Sequence, residues 1–143
     1  MSMAKLTAFM LCDSINAIPV PTGGVLQQLV SPQVALRPQF IPGNFSFGIA
    51  VGVQGVNLHV TNRIRFTISD PHGEIIQDSG VSEFPPVPED VQEILPAEYQ
   101  GFMMNMDIRN LVLRENGEYL FCIYVNDELV GTQKVPIFQR AGQ

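Results

Sequence analysis

Residues 117–137 constrain the fold more than any other part of the chain. In their sequence, GEYLFCIYVNDELVGTQKVPI, apolar residues alternate along the first half, and after a short polar connection Leu129, Gly131, Val135 and Ile137 continue the pattern. This alternation predicts two antiparallel strands joined at residues 126–128. A hairpin this apolar is not stable alone in water and needs a second sheet to cover it, which predicts a β-sandwich.

Further strand signals recur along the chain. Residues 45–53, 58–69 and 102–113 alternate large apolar residues with small or polar ones, and shorter apolar runs occupy residues 6–12 and 25–30. The intervening segments are rich in turn formers, such as the prolines and glycines of residues 17–24, which predict a loop, and Asp70-Pro71-His72-Gly73, which fits a type I turn. We therefore predict a single all-β domain over residues 1–143, an antiparallel sandwich of seven or eight strands.

Residues 79–101 interrupt this pattern with four prolines among several acids. We predict one long proline- and acid-rich crossover loop between the sheets, with one helical turn around residues 89–95. The Gly-Glu-Tyr sequence ending at Tyr119 resembles a tyrosine corner of immunoglobulin-like sandwiches. Pro136 predicts that the last strand lies at a sheet edge, where a missing N–H is tolerated.

The charge balance bears on partners and location. Fourteen acids against eight bases give a net charge of −6, so binding to nucleic acid or to an anionic membrane is not expected. No apolar run approaches the ~20 residues that span a bilayer. The apolar run after Lys5 ends at Asp13 and is too short for a signal peptide. We therefore expect a cytoplasmic protein in which Cys12 and Cys122 are buried thiols rather than a disulfide.

The chain offers few groups for catalysis. His59 is predicted on the polar face of a strand and His72 in a turn, both on the surface. Ser69, Asp70 and His72 are close in sequence, but a hydrolase triad is normally assembled from separate segments. The cysteines and histidines match no zinc spacing, and the acidic loop lacks a calcium pattern. We predict a protein that is not an enzyme and has no metal or other cofactor.

Two features predict a binding surface. Leu120, Cys122 and Tyr124 form the outward row of the central strand, where a solvated face should be polar; the alternative is that the 79–101 loop covers them. Met103 belongs to a methionine cluster with Met104 and Met106, which fits either an adaptable interface or, as the preferred interpretation, gap filling in the core. The candidate interaction surface thus comprises Leu120, Cys122, Tyr124 and Met103.

Several stretches resemble a family of small bacterial domains of unknown function with an immunoglobulin-like sandwich. They are the opening Leu11-Cys12-Asp13, the strand over residues 24–30 with its proline-containing bend, the hairpin over residues 65–74, and the closing hairpin over residues 117–130. The loop over residues 17–22 departs from the short, basic turn expected there. The resemblance implies the fold and a bacterial or phage origin, and it supplies no functional residues.

The leading hypothesis is a non-catalytic interaction or assembly module that binds another protein or a second copy of itself, as a homo-oligomer. The alternative is a β-sandwich that binds a small ligand, such as a saccharide or a nucleotide-derived signal. Against this alternative, the chain has no Trp and three Tyr, so aromatic platforms for stacking are scarce.

Overall fold

A computed structural model describes residues 4–87 and 95–140. The described residues form ten strands and one short 3-10 helix at Ala97–Tyr99. The strands are β1 (Lys5–Cys12), β2 (Ser14–Pro19), β3 (Val25–Val30), β4 (Gly43–Gln54), β5 (Asn62–Ser69), β6 (Ile75–Asp78), β7 (Ser82–Phe84), β8 (Gly101–Leu113), β9 (Gly117–Val125) and β10 (Glu128–Ile137).

Eight of these strands build two antiparallel sheets. The three-stranded sheet has the order β1-β4-β8, and the five-stranded sheet has the order β10-β9-β5-β6, with β7 also paired to β5. These orders correspond to strands A-B-E and G-F-C-C′ of the immunoglobulin fold. The predicted all-β, immunoglobulin-like antiparallel sandwich is therefore confirmed.

Four phenylalanine rings from both sheets meet in the core. Phe121 of β9 lies 5.7 Å from Phe9, 6.1 Å from Phe47 and 5.7 Å from Phe66, measured between ring centroids. In antibody domains a disulfide joins strands B and F and packs against a Trp on strand C. Here Phe47, Phe121 and Phe66 occupy strands B, F and C, so packed rings join the two sheets.

Two local predictions about the closing hairpin are confirmed. The hydroxyl of Tyr119, which is 1% exposed, donates a hydrogen bond of 2.7 Å to the carbonyl of Glu115, as a tyrosine corner requires. β10, which contains Pro136, forms one end of its sheet. On that side Gly131 of β10 packs against Leu6 of β1, so the two sheets are in contact there.

The predicted loop over residues 17–24 is wrong in its first half. β2 extends through Pro19 and pairs with β3, so the connection spans residues 20–24, where Gly23 and Gly24 have φ of +88° and +90°. Pro19 is tolerated because it ends the strand. β2, together with β7 in the predicted crossover loop, brings the total to ten strands among the described residues, above the predicted seven or eight.

The strand predicted from residue 58 begins later, at Asn62. The side-chain amide of Asn62 donates to the carbonyls of Asn57 (2.9 Å) and Val60 (3.2 Å), which closes a local loop that cannot continue the strand. Within the predicted crossover loop, residues 82–84 form β7 and residues 97–99 the 3-10 helix. The helical turn predicted around residues 89–95 falls almost wholly outside the described residues.

Candidate functional site

A two-stranded hairpin stands apart from the sandwich. We call residues 14–30, comprising β2, β3 and their connection, the arm. β2 and β3 pair with each other and with no other described strand. At the base, the N–H of Asp13 donates to the carbonyl of Val30 (2.9 Å), and the N–H of Gln33 donates to that of Leu11 (2.7 Å). The arm is therefore an insertion between the first two strands of the sandwich.

The base of the arm rests on the outer face of the three-stranded sheet. Ile15 packs over Gly48 of β4, where an added Cβ would lie 3.3 Å from Ile15 Cγ1 and 3.0 Å from the sulfur of Cys12. β2 also contacts β8, the strand next to β4. The absence of a side chain at Gly48 thus lets the arm cross close to the sheet.

Beyond this base the arm is exposed and apolar. Val25 is 56% exposed, Leu26 55% and Ile18 38%. No residue from Ser14 to Leu36 carries a charge. Isolated two-stranded hairpins are marginally stable in water, and natural edge strands usually carry charges that block pairing with other chains. The arm lacks that protection.

Three of the four residues of the candidate interaction surface predicted from the sequence lie together on the outer face of the five-stranded sheet. Leu120 and Tyr124 are half-buried, and Cys122 is 6% exposed. The guanidinium of Arg65 lies 5.4 Å from the centre of the Tyr124 ring. This row is therefore partly covered by side chains of its own sheet.

Met103 lies elsewhere, on β8 of the three-stranded sheet, and is 61% exposed. Its neighbour Met104 points inward and is 7% exposed, while Met106 is half-buried. The methionine cluster therefore divides between the core and the surface. The structure does not bring Met103 together with Leu120, Cys122 and Tyr124.

A groove opens between β8 and the β5–β7 pair. It has a volume of about 340 Å³. None of the described residues that line it is charged: they are Ile64, Phe66, Ser79, Ser82, Phe84, Met103, Met104, Asn105 and Met106. We call it the β8 groove. At one end the rings of Phe84 and Phe102 lie 5.6 Å apart.

A larger cavity of about 600 Å³, lined by both polar and apolar residues, lies at the end of the sandwich formed by residues 55–62 and 125–126. Its amides bond to one another: Asn126 Nδ2 donates to Asn62 Oδ1 (2.9 Å), and Asn62 Nδ2 donates to the Asn57 carbonyl. Nδ1 of His59 lies 3.1 Å from the carbonyl of Val87. These hydrogen bonds hold the loops around the cavity in place. That the protein binds a small ligand, the alternative hypothesis, stays a prediction.

The residues considered for catalysis have structural partners. Asp70 Oδ1 accepts the backbone N–H groups of His72 and Glu74, each at 2.9 Å, and so caps the turn. His72 Nε2 lies 2.9 Å from Glu115 Oε2 on the surface. Among the described residues, no three His, Cys, Asp or Glu side chains converge as metal ligands would.

The two cysteines are free and buried. Cys12 pairs with Gly48 in the three-stranded sheet and Cys122 with Thr67 in the other, so they belong to different sheets. Burial raises the pKa of the Cys12 thiol above its usual range, with further contributions from the carboxylates of Asp13 and Asp107. A thiol held in its neutral form is a poor nucleophile.

The sequence interpretation missed the arm. One signal was present: residues 14–36 carry no charge, and apolar residues recur within them. Prolines and glycines outweighed this signal, because they mark the turn at the tip as well as a loop. In the described part of the chain, no helix is long and apolar enough to cross a bilayer.

Comparisons with known proteins give distant likenesses. No family model and no curated protein matches the chain. A solved structure of the alkylpurine DNA glycosylase AlkC from Pseudomonas fluorescens, bound to DNA with an abasic-site analogue, is similar over 96% of this chain, with 12% identity and a TM-score of 0.43. This chain spans 31% of that protein.

An immunoglobulin-like protein from Pseudomonas aeruginosa is similar over 94% of this chain and 95% of its own, with 12% identity and a TM-score of 0.33. Both likenesses are too distant to assign a family or a function to this chain.

Proposed function

We propose that the protein is a non-catalytic assembly module that associates with a second copy of itself through the arm. The observation that carries this proposal is the exposed, charge-free hairpin, whose strands pair with no other described strand. Unprotected strand edges and exposed apolar side chains are the features that pair with another polypeptide chain.

Charge restricts the surfaces through which two copies can meet. Each copy carries a net charge of −6, so most ways of bringing two copies together place carboxylates near one another, and like charges across an interface oppose association. The arm brings no charge into the contact itself, so only the long-range repulsion between the two copies remains. The arm is therefore a surface that two acidic copies can share.

Sedimentation velocity over a range of protein concentrations tests the proposal. We expect the wild type to form dimers. Ile18 and Leu26 lie opposite each other on one face of the arm, and the double substitution of both by Glu should shift the protein to monomer. A matched control is Ile75→Glu on β6, because Ile75 is 51% exposed and lies outside the arm; this variant should dimerise like the wild type.

Circular dichroism and thermal unfolding of all three proteins show whether the sandwich is intact. A wild type that stays monomeric throughout would overturn the proposal. So would an arm variant that dimerises as well as the Ile75→Glu control.

The proposal includes two further predictions from the sequence. A cytoplasmic location is supported by Cys12 and Cys122, which are free thiols as is usual in reducing compartments. Membership of the family of small bacterial immunoglobulin-like domains is supported by the sandwich topology and by the tyrosine corner at Tyr119.

A further inference from the structure

We infer that the arm of one copy docks in the β8 groove of a second copy, and that the two copies exchange arms reciprocally. This inference rests on the proposed self-association and names the surface that receives the arm.

β8 offers an edge that can accept a strand. It extends over 13 residues and pairs with β4 along one edge. No other described strand pairs with its second edge. An extended segment that adds to such an edge gains main-chain hydrogen bonds, and its alternate side chains enter neighbouring pockets. The β8 groove lies along this edge and supplies such a pocket.

The groove and the arm match in chemistry. No described residue that lines the groove is charged, and the arm carries no charge either. An acidic segment would have to bury its carboxylates among Phe66, Phe84 and Met104, which is costly without a cation. Met103 and Met106 are unbranched and flexible, so they can adapt to the apolar side chains of the arm tip.

The base of the arm lies next to the strand that forms the groove. β2 leaves β1, crosses β4 at Gly48 and contacts β8. The base of the arm therefore lies on the sheet whose edge strand, β8, lines the groove. Two copies related by a two-fold axis can each place an arm on the other, and such closed isologous dimers are the commonest oligomers.

The first test is a substitution in the groove. Met103→Glu places a carboxylate at an exposed position, so it should leave the fold intact and abolish dimerisation. Val112→Glu is the matched control, because Val112 is 51% exposed on the same strand and does not line the groove. Val112→Glu should dimerise like the wild type.

The second test mixes two defective proteins. The arm variant, with Ile18→Glu and Leu26→Glu, and the groove variant, Met103→Glu, should each be monomeric alone. In a mixed dimer, the intact arm of the groove variant meets the intact groove of the arm variant. We therefore expect the mixture to form a dimer that neither variant forms by itself, with an affinity between those of the wild type and the single variants.

A cross-link gives an independent readout. Leu26→Cys in one protein and Met103→Cys in the other should form a disulfide-linked heterodimer under mild oxidation. The native thiols of Cys12 and Cys122 are buried and should not compete. Neither introduced cysteine lies in the core, since Leu26 is 55% and Met103 61% exposed.

The outcomes separate the inference from the proposed function. If the arm variant is monomeric but Met103→Glu dimerises like the wild type, the arm has another receptor and the inference is overturned, while self-association stands. The inference is also overturned if the mixture shows neither complementation nor a cross-link. A monomeric wild type overturns the proposed function itself.

Discussion

Arg65 and Asp78 form a two-pronged ion pair on the outer face of the five-stranded sheet. Nε and Nη2 of Arg65 donate to the two carboxylate oxygens of Asp78 at 3.1 and 2.6 Å, and the N–H of Gly80 donates to Oδ1. Charge-assisted bonds of this kind favour the ionised acid. The hydrogen bond from Arg65, helped by that from Gly80, lowers the pKa of Asp78 to about 2.

This shift predicts how acid affects the Asp78→Asn variant. In the unfolded chain Asp titrates near pH ~3.9, so the pair stabilises the wild type above that pH and stops doing so as the pH falls through about 2. At neutral pH the variant should be less stable than the wild type. The difference should shrink between about pH 4 and about pH 2 and vanish below. Urea midpoints measured across this range provide the check, and a difference that stays constant down to the lowest pH would contradict the assignment.

At the scale of single residues, sequence prediction succeeded where the structural reason is local. Tyr119 and Pro136 were placed correctly because a tyrosine corner and a strand without one N–H depend on a few neighbouring residues. That Met103 lies apart from Leu120, Cys122 and Tyr124 could not be predicted, because alternation gives the face of a strand but not the sheet that the strand joins. The outward row of β9 was identified from alternation, but the packing of Arg65 over Tyr124 depends on a residue far away in the chain.

At the scale of elements, the corner between β8 and β9 is closed by one hydrogen bond. The Tyr119 hydroxyl reaches the Glu115 carbonyl while its ring is buried in the core. Tyr119→Phe keeps the ring and removes the bond, so it should lower the free energy of unfolding by about 1 kcal/mol. The control is Tyr99→Phe, because Tyr99 is 46% exposed; this variant should change the free energy of unfolding by less than about 0.5 kcal/mol. Denaturant unfolding measures both; equal effects would show that the bond does not hold the corner.

Whole strands were predicted well where alternation runs uninterrupted, as in β4, β8, β9 and β10. The errors occurred where local chemistry competes with that pattern. Asn62 closes a loop with its own amide and delays β5. In the arm, Pro19 and Gly24 indicate a loop, although Pro19 is the last residue of β2 and Gly24 directly precedes β3. Turn formers show that the chain reverses, but not how far the strands extend on either side.

At the scale of the whole molecule, the sequence predicts two covered sheets but not an inserted hairpin that leaves them. Sheet order depends on contacts between segments distant in the chain, such as β1 with β4 and β5 with β9. Net charge, in contrast, is known from composition alone. Composition does not show how this charge is distributed. In the structure, the uncharged residues 14–30 form a separate hairpin on an otherwise acidic protein.

This distribution of charge predicts the salt dependence of self-association. If two copies meet through uncharged surfaces, the electrostatic contribution to the free energy of association is the long-range repulsion between two proteins of charge −6. Salt screens that repulsion, since the Debye length falls from about 30 Å at 0.01 M to about 10 Å at 0.1 M. The dissociation constant should therefore fall as sodium chloride is raised over this range. Sedimentation equilibrium measures it, and chloride is preferred to sulfate because sulfate also strengthens apolar contacts. An interface built on ion pairs would respond in the opposite direction, so a dissociation constant that rises with salt would contradict association through the arm.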